Sequence, residues 1–279
     1  MQRLKFIGKT LIVIFAIIGI VFFSVFIAMK LGLTNVRGAI SERNKYLGID
    51  IFQTKNTKSV EVAPWLNSPE WEVLKSVFIK DQIIINQAAR DAGISPRILL
   101  GGVIGEQLRF FGNSRESFKS YFEPLKILAS LSSFSYGIAG LKPETVARID
   151  ENLKNKESVF YLGPNMENVI TYPEGADKTK IRFERITDTK NTYYSYLYVG
   201  LFMKQVTVQW RASGHDISKL PGVLSTLYNL GFNRSVPKPN PGIGGAEVNV
   251  NMQSYSFGEL GEQFYYSDEL LQEFPHDPN

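Results

Sequence analysis

The sequence predicts a mainly α-helical protein with one N-terminal transmembrane helix, followed by a single helical domain built around a buried central helix. Residues 10–29 carry no charge. From residue 68 onwards, apolar residues recur at helical spacing. Residues 98–105 are apolar or glycine on every face of a helix, which is typical of a helix enclosed by others. With 279 residues and 44% hydrophobic content, the chain is long enough for one substantial core.

The N-terminal apolar stretch is long enough to cross a bilayer. At about 1.5 Å per residue, residues 10–29 span roughly 30 Å, the thickness of the hydrocarbon core. Basic residues are more numerous before the stretch than after it, which favours a cytoplasmic N-terminus and an exported domain. A cleaved signal peptide is the alternative, but its apolar region is usually shorter and ends at an A-x-A-like site. We expect a cytoplasmic tip and anchor at 1–37, a polar tether at 38–62 and the folded domain at 63–279.

The composition excludes several classes of function. The net charge of +4 is spread along the chain, whereas nucleic-acid binding needs a basic patch. Mild basicity suits an anionic surface such as a membrane or a cell-wall polymer. The chain has no cysteine and only two histidines, His215 and His276. We therefore expect no disulfide, no metal site, no cofactor and no Ser-His-Asp triad.

The first helices of the domain follow from local start and stop signals. Ser68-Pro69 opens a helix with Trp71, Leu74, Val77 and Phe78 on one face, and a second helix at 80–91 ends at Gly93. Ser95 is expected to cap the central helix, with Pro96 at its first position.

The remaining elements are predicted in the same way. Pro143 and Pro221 mark helix starts, and Gly231 marks a helix end. Residues 155–191 are polar and predict loops with one short strand at 181–186, and the Pro/Gly-rich residues 236–245 predict a loop. Residues 255–266 place aromatics beside acids, which fits either an extended sugar-binding cleft or core packing. Helices are expected at 116–131, 143–153, 192–213, 221–230 and 267–274.

Glu106 is the candidate catalytic residue. It follows the apolar run of the central helix, and desolvation favours the protonated carboxyl group that a general acid needs at neutral pH. Three glycines on the same helix, Gly101, Gly102 and Gly105, would let another backbone approach closely. A glutamate that simply points into water from the end of the helix is the structural alternative.

Three short motifs follow one another along the chain in an order that matches a known family pattern. Glu106-Gln107 is followed by GIAGLKPET at 137–145 and, further along the chain, by LYNLG at 227–231. This order resembles the lysozyme-like lytic transglycosylases, whose pattern is E-S, then G-L-M-Q-hydrophobic-x-P-x-T-A, then A-Y-N-A-G. The resemblance covers roughly residues 83–231. Gln107 stands where the family has Ser, Gly140 stands where it has Gln, and the longer interval after Glu106 indicates an inserted helix.

The resemblance implies a lysozyme-like α+β fold of mainly helical content and a reaction on peptidoglycan. Glu106 would protonate the β-1,4 glycosidic oxygen between MurNAc and GlcNAc, while the N-acetyl group of the substrate stabilises the developing cation. Glu106 would then accept the proton of the 6-hydroxyl, leaving a 1,6-anhydro end. The resemblance implies that substrate is bound or positioned by Gln107, Ser135, Tyr136, Gly137, Ile138, Ala139, Tyr228 and Asn229.

Two other functions fit the same residues. A hydrolytic muramidase on this fold would need a second carboxylate facing Glu106, and the candidates are Glu116, Glu123, Glu259 and Glu262. A non-catalytic relative would bind glycan or scaffold an envelope assembly. All three readings place the domain outside the cell membrane, with peptidoglycan strands as partner, the membrane contacted through residues 10–29 and no nucleic acid.

Overall fold

A computed structural model describes residues 19–20, 23–24, 63–111 and 137–276 of the chain. The expected tether and the helix expected at 116–131 lie outside the described residues, as does nearly all of the expected membrane anchor. In the described part of the chain, no helix is both long enough and apolar enough to cross a membrane. The anchor therefore stays a prediction.

The described part of the chain is mainly helical, as the sequence predicts. It contains eight α-helices and one antiparallel hairpin, in which Glu247 pairs with Ser256 and Val250 with Gln253. In chain order these elements are α1 (Pro69–Lys80), α2 (Gln82–Ala92), α3 (Pro96–Phe111), α4 (Pro143–Lys154), α5 (Lys178–Thr187), α6 (Tyr193–Ala212), α7 (Pro221–Leu230), β1 (Glu247–Val250), β2 (Gln253–Ser256) and α8 (Phe257–Tyr266).

Helix α3 is the central helix that the sequence predicts. Its residues Leu99, Leu100, Val103 and Ile104 have no exposed surface. The helix packs mainly against α7 and α8 and also touches α1, α2, α6 and β1. Glycines on α3 permit the close approach of α7 and α8. A Cβ added at Gly101 would lie only 2.9 Å from Oγ of Ser225 on α7 and 3.4 Å from Cα of Gly261 on α8. An apolar surface on every face is therefore matched by a neighbour on every face.

Three local expectations are wrong. The Ser95 hydroxyl is buried and has no hydrogen-bond partner in the described part of the chain, so Ser95 precedes α3 without capping it through its side chain. Residues 181–186 belong to helix α5 instead of a strand, because the Asp177 carboxylate accepts from the backbone N–H groups of Thr179 and Lys180 and starts a helix there. Residues 267–274 form turns, and the last helix of the described chain is α8.

Arg97 explains how the C-terminal residues are held. Its side chain is fully buried, and its guanidinium donates to the carbonyl oxygens of Phe264 at 2.7 Å, Ser267 at 2.5 Å and Glu269 at 2.7 Å. It also lies over the Phe264 ring, 4.5 Å from the centroid. Burial lowers the pKa of Arg97 to about 10, which leaves the guanidinium charged at neutral pH. Helix α3 thereby fixes the end of α8 and the turns that follow it.

Candidate active site

Glu106 lies on α3 and has no exposed surface. The reading in which it points into water is therefore wrong. Its Oε2 accepts a hydrogen bond from Nη2 of Arg109, one turn further along the helix. Arg109 is the more exposed member of this ion pair, with 18% of its side chain accessible. A buried carboxylate paired with the partly exposed Arg109 is the chemical centre of the site.

A tight turn from the second motif lies directly against this carboxylate. Residues 137–140 form a turn closed by the N–H of Gly140, which donates to the Gly137 carbonyl at 3.2 Å. Gly140 has a φ of +59° and Gly137 a φ of +67°, a region that favours glycine. A Cβ on Gly140 would lie 2.5 Å from Oε2 of Glu106, and a Cβ on Gly137 would collide with the Ile186 carbonyl oxygen. A side chain at position 140, such as the Gln of the resembled motif, would therefore collide with Glu106 here.

The carbonyl groups of the turn are held from two helices. Nε2 of Gln107 on α3 donates to the Ile138 carbonyl oxygen. The Tyr228 hydroxyl on α7 donates to the Ala139 carbonyl oxygen at 2.5 Å. These bonds tie the first and third sequence motifs to the second.

Helix α7 supplies the third motif from its last turn. Tyr228 is 5% exposed, and its ring meets Phe202 of α6 edge to face at 5.4 Å between centroids. Asn229 is 1% exposed, and its Oδ1 accepts from the Ala246 N–H at 2.9 Å, which fixes the loop before β1. Its Nδ2 is buried without a hydrogen-bond partner among the residues that the structure describes. Tyr228 thus supports the turn, whereas Asn229 supports the neighbouring loop.

The structure brings most of the predicted site together. Gln107 and Tyr228 bond to Ile138 and Ala139 of the turn that Gly137 begins. Glu106 joins the same group through Gly140, which was not among the predicted site residues. Asn229 follows Tyr228 on α7 but bonds to a different segment. Ser135 and Tyr136 lie outside the described residues. The grouping was predicted from motif order, and the contacts that create it come from three separate parts of the chain.

The described candidates for a second carboxylate have other partners. Glu259 forms a capping box with Ser256 at the start of α8. Oε2 of Glu262 accepts from the Gly222 N–H at 2.8 Å at the start of α7, and burial raises the pKa of this carboxyl group. Both side chains therefore stabilise helix N-termini. Glu116 and Glu123 lie outside the described residues.

Arg109 is a site residue that was not predicted from the sequence, whereas Phe257 lies in the aromatic stretch at 255–266, for which a sugar-binding cleft and core packing were the two alternatives. The Arg109 guanidinium lies over the Phe257 ring, 5.9 Å from its centroid, and that ring packs against Gly105 of α3. The spacing of three residues between Glu106 and Arg109 is a standard signal for an ion pair on a helix and could have identified Arg109. The Phe257 ring, at the start of α8, has no exposed surface and packs against Gly105, which favours core packing for this residue of the stretch at 255–266.

In the part of the chain that the structure describes, no cluster of three or more His, Asp or Glu side chains could hold a metal ion. No protein-family model, no curated protein and no solved structure matches this chain. The likeness to lytic transglycosylases therefore rests on the three sequence motifs and on the contacts among them.

Proposed function

We propose that the protein is a membrane-anchored lytic transglycosylase that cleaves the β-1,4 bond between MurNAc and GlcNAc in peptidoglycan. One observation carries the proposal, namely the convergence of three motifs that are far apart in the chain. Gly140 of the second motif lies against Glu106 of the first, and Tyr228 of the third bonds to Ala139 beside it. The order of the motifs in the chain does not by itself bring these residues together, so their contact in the fold supports a shared role.

In the proposed reaction, Glu106 acts first as acid and then as base. It donates a proton to the glycosidic oxygen, and the GlcNAc end leaves with a new hydroxyl group. The substrate's own N-acetyl oxygen stabilises the cation at C1, so that the protein needs no second carboxylate. Glu106 then accepts the proton of the 6-hydroxyl as that oxygen bonds to C1, which closes the 1,6-anhydro ring.

The surroundings of Glu106 suit this chemistry in two ways. Burial excludes bulk water from the carboxylate, and an excluded water cannot compete with the substrate's 6-hydroxyl. The bonds from Gln107 and Tyr228 fix the turn that lies against Glu106, and fixed neighbours keep the acid in one geometry. For a sugar oxygen to reach Oε2, the Arg109 side chain must first give way.

One observation favours a second candidate, a glycan-binding scaffold without catalysis. Glu106 is fully buried and ion-paired, as it would be if its carboxylate served only to hold Arg109 and the turn. A scaffold of this kind would bind peptidoglycan through the same face and release no fragments. Binding and turnover must therefore be measured together.

The test uses the full-length chain, purified in detergent, with isolated peptidoglycan. Release of soluble fragments and co-sedimentation with the polymer are measured in parallel. Glu184→Gln is the matched control, because Glu184 is 58% exposed and lies on α5. We expect the wild type and Glu184→Gln to release fragments and Glu106→Gln to release none while still binding. Folded wild-type protein that binds but releases nothing would reject the enzyme in favour of the scaffold.

A further inference from the structure

Arg109 is the partly exposed partner of the buried Glu106 carboxylate. Its Nη2 bonds to Oε2 of Glu106, its guanidinium lies over the Phe257 ring, and its side chain is partly exposed. A guanidinium has five N–H donors in a planar fork, so that one carboxylate oxygen does not exhaust it. Arg109 can therefore bind a second carboxylate, and the nearest source is the substrate itself.

Resting on the function proposed above, we propose that Arg109 is a specificity-determining residue that binds the lactyl carboxylate of muramic acid. It would thereby select glycan strands from which the stem peptide has been removed. In peptide-bearing strands the lactyl carboxyl group is a neutral amide. In peptide-free strands it is an anion, attached through O3 to the sugar whose C1–O bond is cleaved.

The position of Arg109 matches this chemistry. The lactyl group lies on the same sugar ring as the reacting carbon, and Arg109 lies one helical turn from the proposed acid. A guanidinium binds a carboxylate through two parallel hydrogen bonds, which gives both affinity and orientation. An amide in the same place offers no charge and a single carbonyl acceptor. The fork of Arg109 is thus suited to discriminate between the two forms of the substrate.

Binding of the lactyl carboxylate would also prepare Glu106. In the structure, Oε2 of Glu106 accepts from Arg109, whereas a general acid must donate to the glycosidic oxygen. A substrate carboxylate would take over the guanidinium, and Arg109 would remain paired with an anion throughout. The substrate that fits Arg109 is then the one that frees the acid.

The test compares two tetrasaccharides of alternating GlcNAc and MurNAc, one with free lactyl carboxylates and one with lactyl methylamides. Binding is measured by calorimetry on the full-length Glu106→Gln protein in detergent, because that variant does not consume the ligand. We expect the acid form to bind about 10- to 100-fold more tightly, the range of a charged hydrogen-bond pair. Adding Arg109→Gln should remove the preference for the acid form. Arg109→Lys should keep part of this preference, and Arg211→Gln should keep all of it. Arg211 is the control because it is exposed and paired with Asp216.

Three results would overturn the role of Arg109, namely equal binding of both forms, binding of neither form, or a ratio that survives Arg109→Gln in protein whose thermal unfolding is unchanged. Cleavage of the same two ligands by wild-type protein separates this proposal from the previous one. Selective binding without cleavage would reject the transglycosylase reaction and leave Arg109 as a carboxylate site. Cleavage of both ligands at equal rates would reject the selectivity and leave the reaction.

Discussion

Gly140 and Glu106 lie in direct contact, although they belong to sequence motifs separated by the residues of a whole predicted helix. A Cβ on Gly140 would lie 2.5 Å from Oε2 of Glu106 and 2.6 Å from its Cδ. The φ of +59° at Gly140 independently disfavours any other residue. Position 140 therefore affects both the conformation of the turn and the position of the proposed acid.

Gly140→Ala is expected to destabilise the domain and to remove activity. The positive φ should cost about 1 to 2 kcal/mol, and displacing Glu106 should add about 1 to 3 kcal/mol. Thermal unfolding and fragment release from peptidoglycan measure the two effects.

The matched control is Gly175→Ala, because Gly175 has a φ of +70° and nothing within 4 Å of the added Cβ. It should show the conformational cost alone, with full activity. In a Glu106→Ala background, which removes the contact, Gly140→Ala should lower the free energy of unfolding no more than Gly175→Ala does. An equal cost of Gly140→Ala with and without the Glu106 side chain would show that the two residues do not interact.

Tyr228→Phe is expected to lower both stability and activity. The change leaves the Ala139 carbonyl oxygen without its 2.5 Å hydrogen bond, which should cost about 1 to 3 kcal/mol, while the ring stays packed on Phe202. A loosened turn beside Glu106 should reduce fragment release about 10- to 100-fold. Tyr198→Phe removes another buried hydroxyl, bonded to Asp150, and should leave activity unchanged. Comparable activities of the two variants would argue against a positioning role for Tyr228.

The sequence predicted those parts of the fold that depend on local signals. Pro143, Pro221 and Gly231 lie where α4 begins, where α7 begins and just after α7 ends. The contacts of Glu106 with Gly140, and of Tyr228 with the turn, follow motif order that was visible in the sequence. Some local signals were not used, namely the cap at Asp177 before α5, the spacing of Glu106 and Arg109, and the capping box of Ser256 and Glu259 at the start of α8.

Other features could not be predicted because they depend on contacts between distant parts of the chain. The strand expected at 181–186 is a helix in part because burial of Phe183 and Ile186 against the rest of the fold outweighs the β-branched content of the segment. Arg97 looks like an ordinary helix residue, but its carbonyl partners lie 167 to 177 residues further along the chain. No local pattern indicates such a cluster.

Arg97→Lys is expected to destabilise the domain by about 3 kcal/mol. Lysine keeps the charge, but its single ammonium cannot reach the carbonyl oxygens of Phe264, Ser267 and Glu269 together, and buried carbonyls are left unpaired. Arg211→Lys, at an exposed ion pair, should change the free energy of unfolding by less than about 0.5 kcal/mol. Thermal unfolding of the full-length chain in detergent checks both values. Equal effects of the two substitutions would show that Arg97 does not hold the C-terminal turns.

The stability of the domain is expected to fall at alkaline pH. Burial, followed by the charge of a neighbouring carboxylate, raises the pKa of Tyr196 beside Asp81 and of Tyr198 beside Asp150. Since the unfolded chain loses these protons first, the free energy of unfolding should decrease as pH rises above the ordinary pKa of 10.0. Each tyrosine contributes at most about 1.4 kcal/mol per pH unit.

A pH titration that records tyrosinate absorbance and circular dichroism together measures this effect. Tyr196→Phe and Tyr198→Phe should each remove one ionisation from the signal that accompanies unfolding. If either substitution instead removes an ionisation that occurs before unfolding, while circular dichroism still shows intact helices, that tyrosine does not have the raised pKa assigned to it.

The chemistry of the product ends tests the proposed function most directly. Full-length protein is incubated with purified peptidoglycan beside the Glu106→Gln variant, and the released fragments are weighed by mass spectrometry. A lytic transglycosylase with Glu106 as its acid predicts wild-type fragments that end in 1,6-anhydro sugars, each lighter by one water than a hydrolysis product, and none from the variant. Reducing-end fragments from the wild type, or anhydro fragments from Glu106→Gln, would contradict the proposed reaction or its proposed acid.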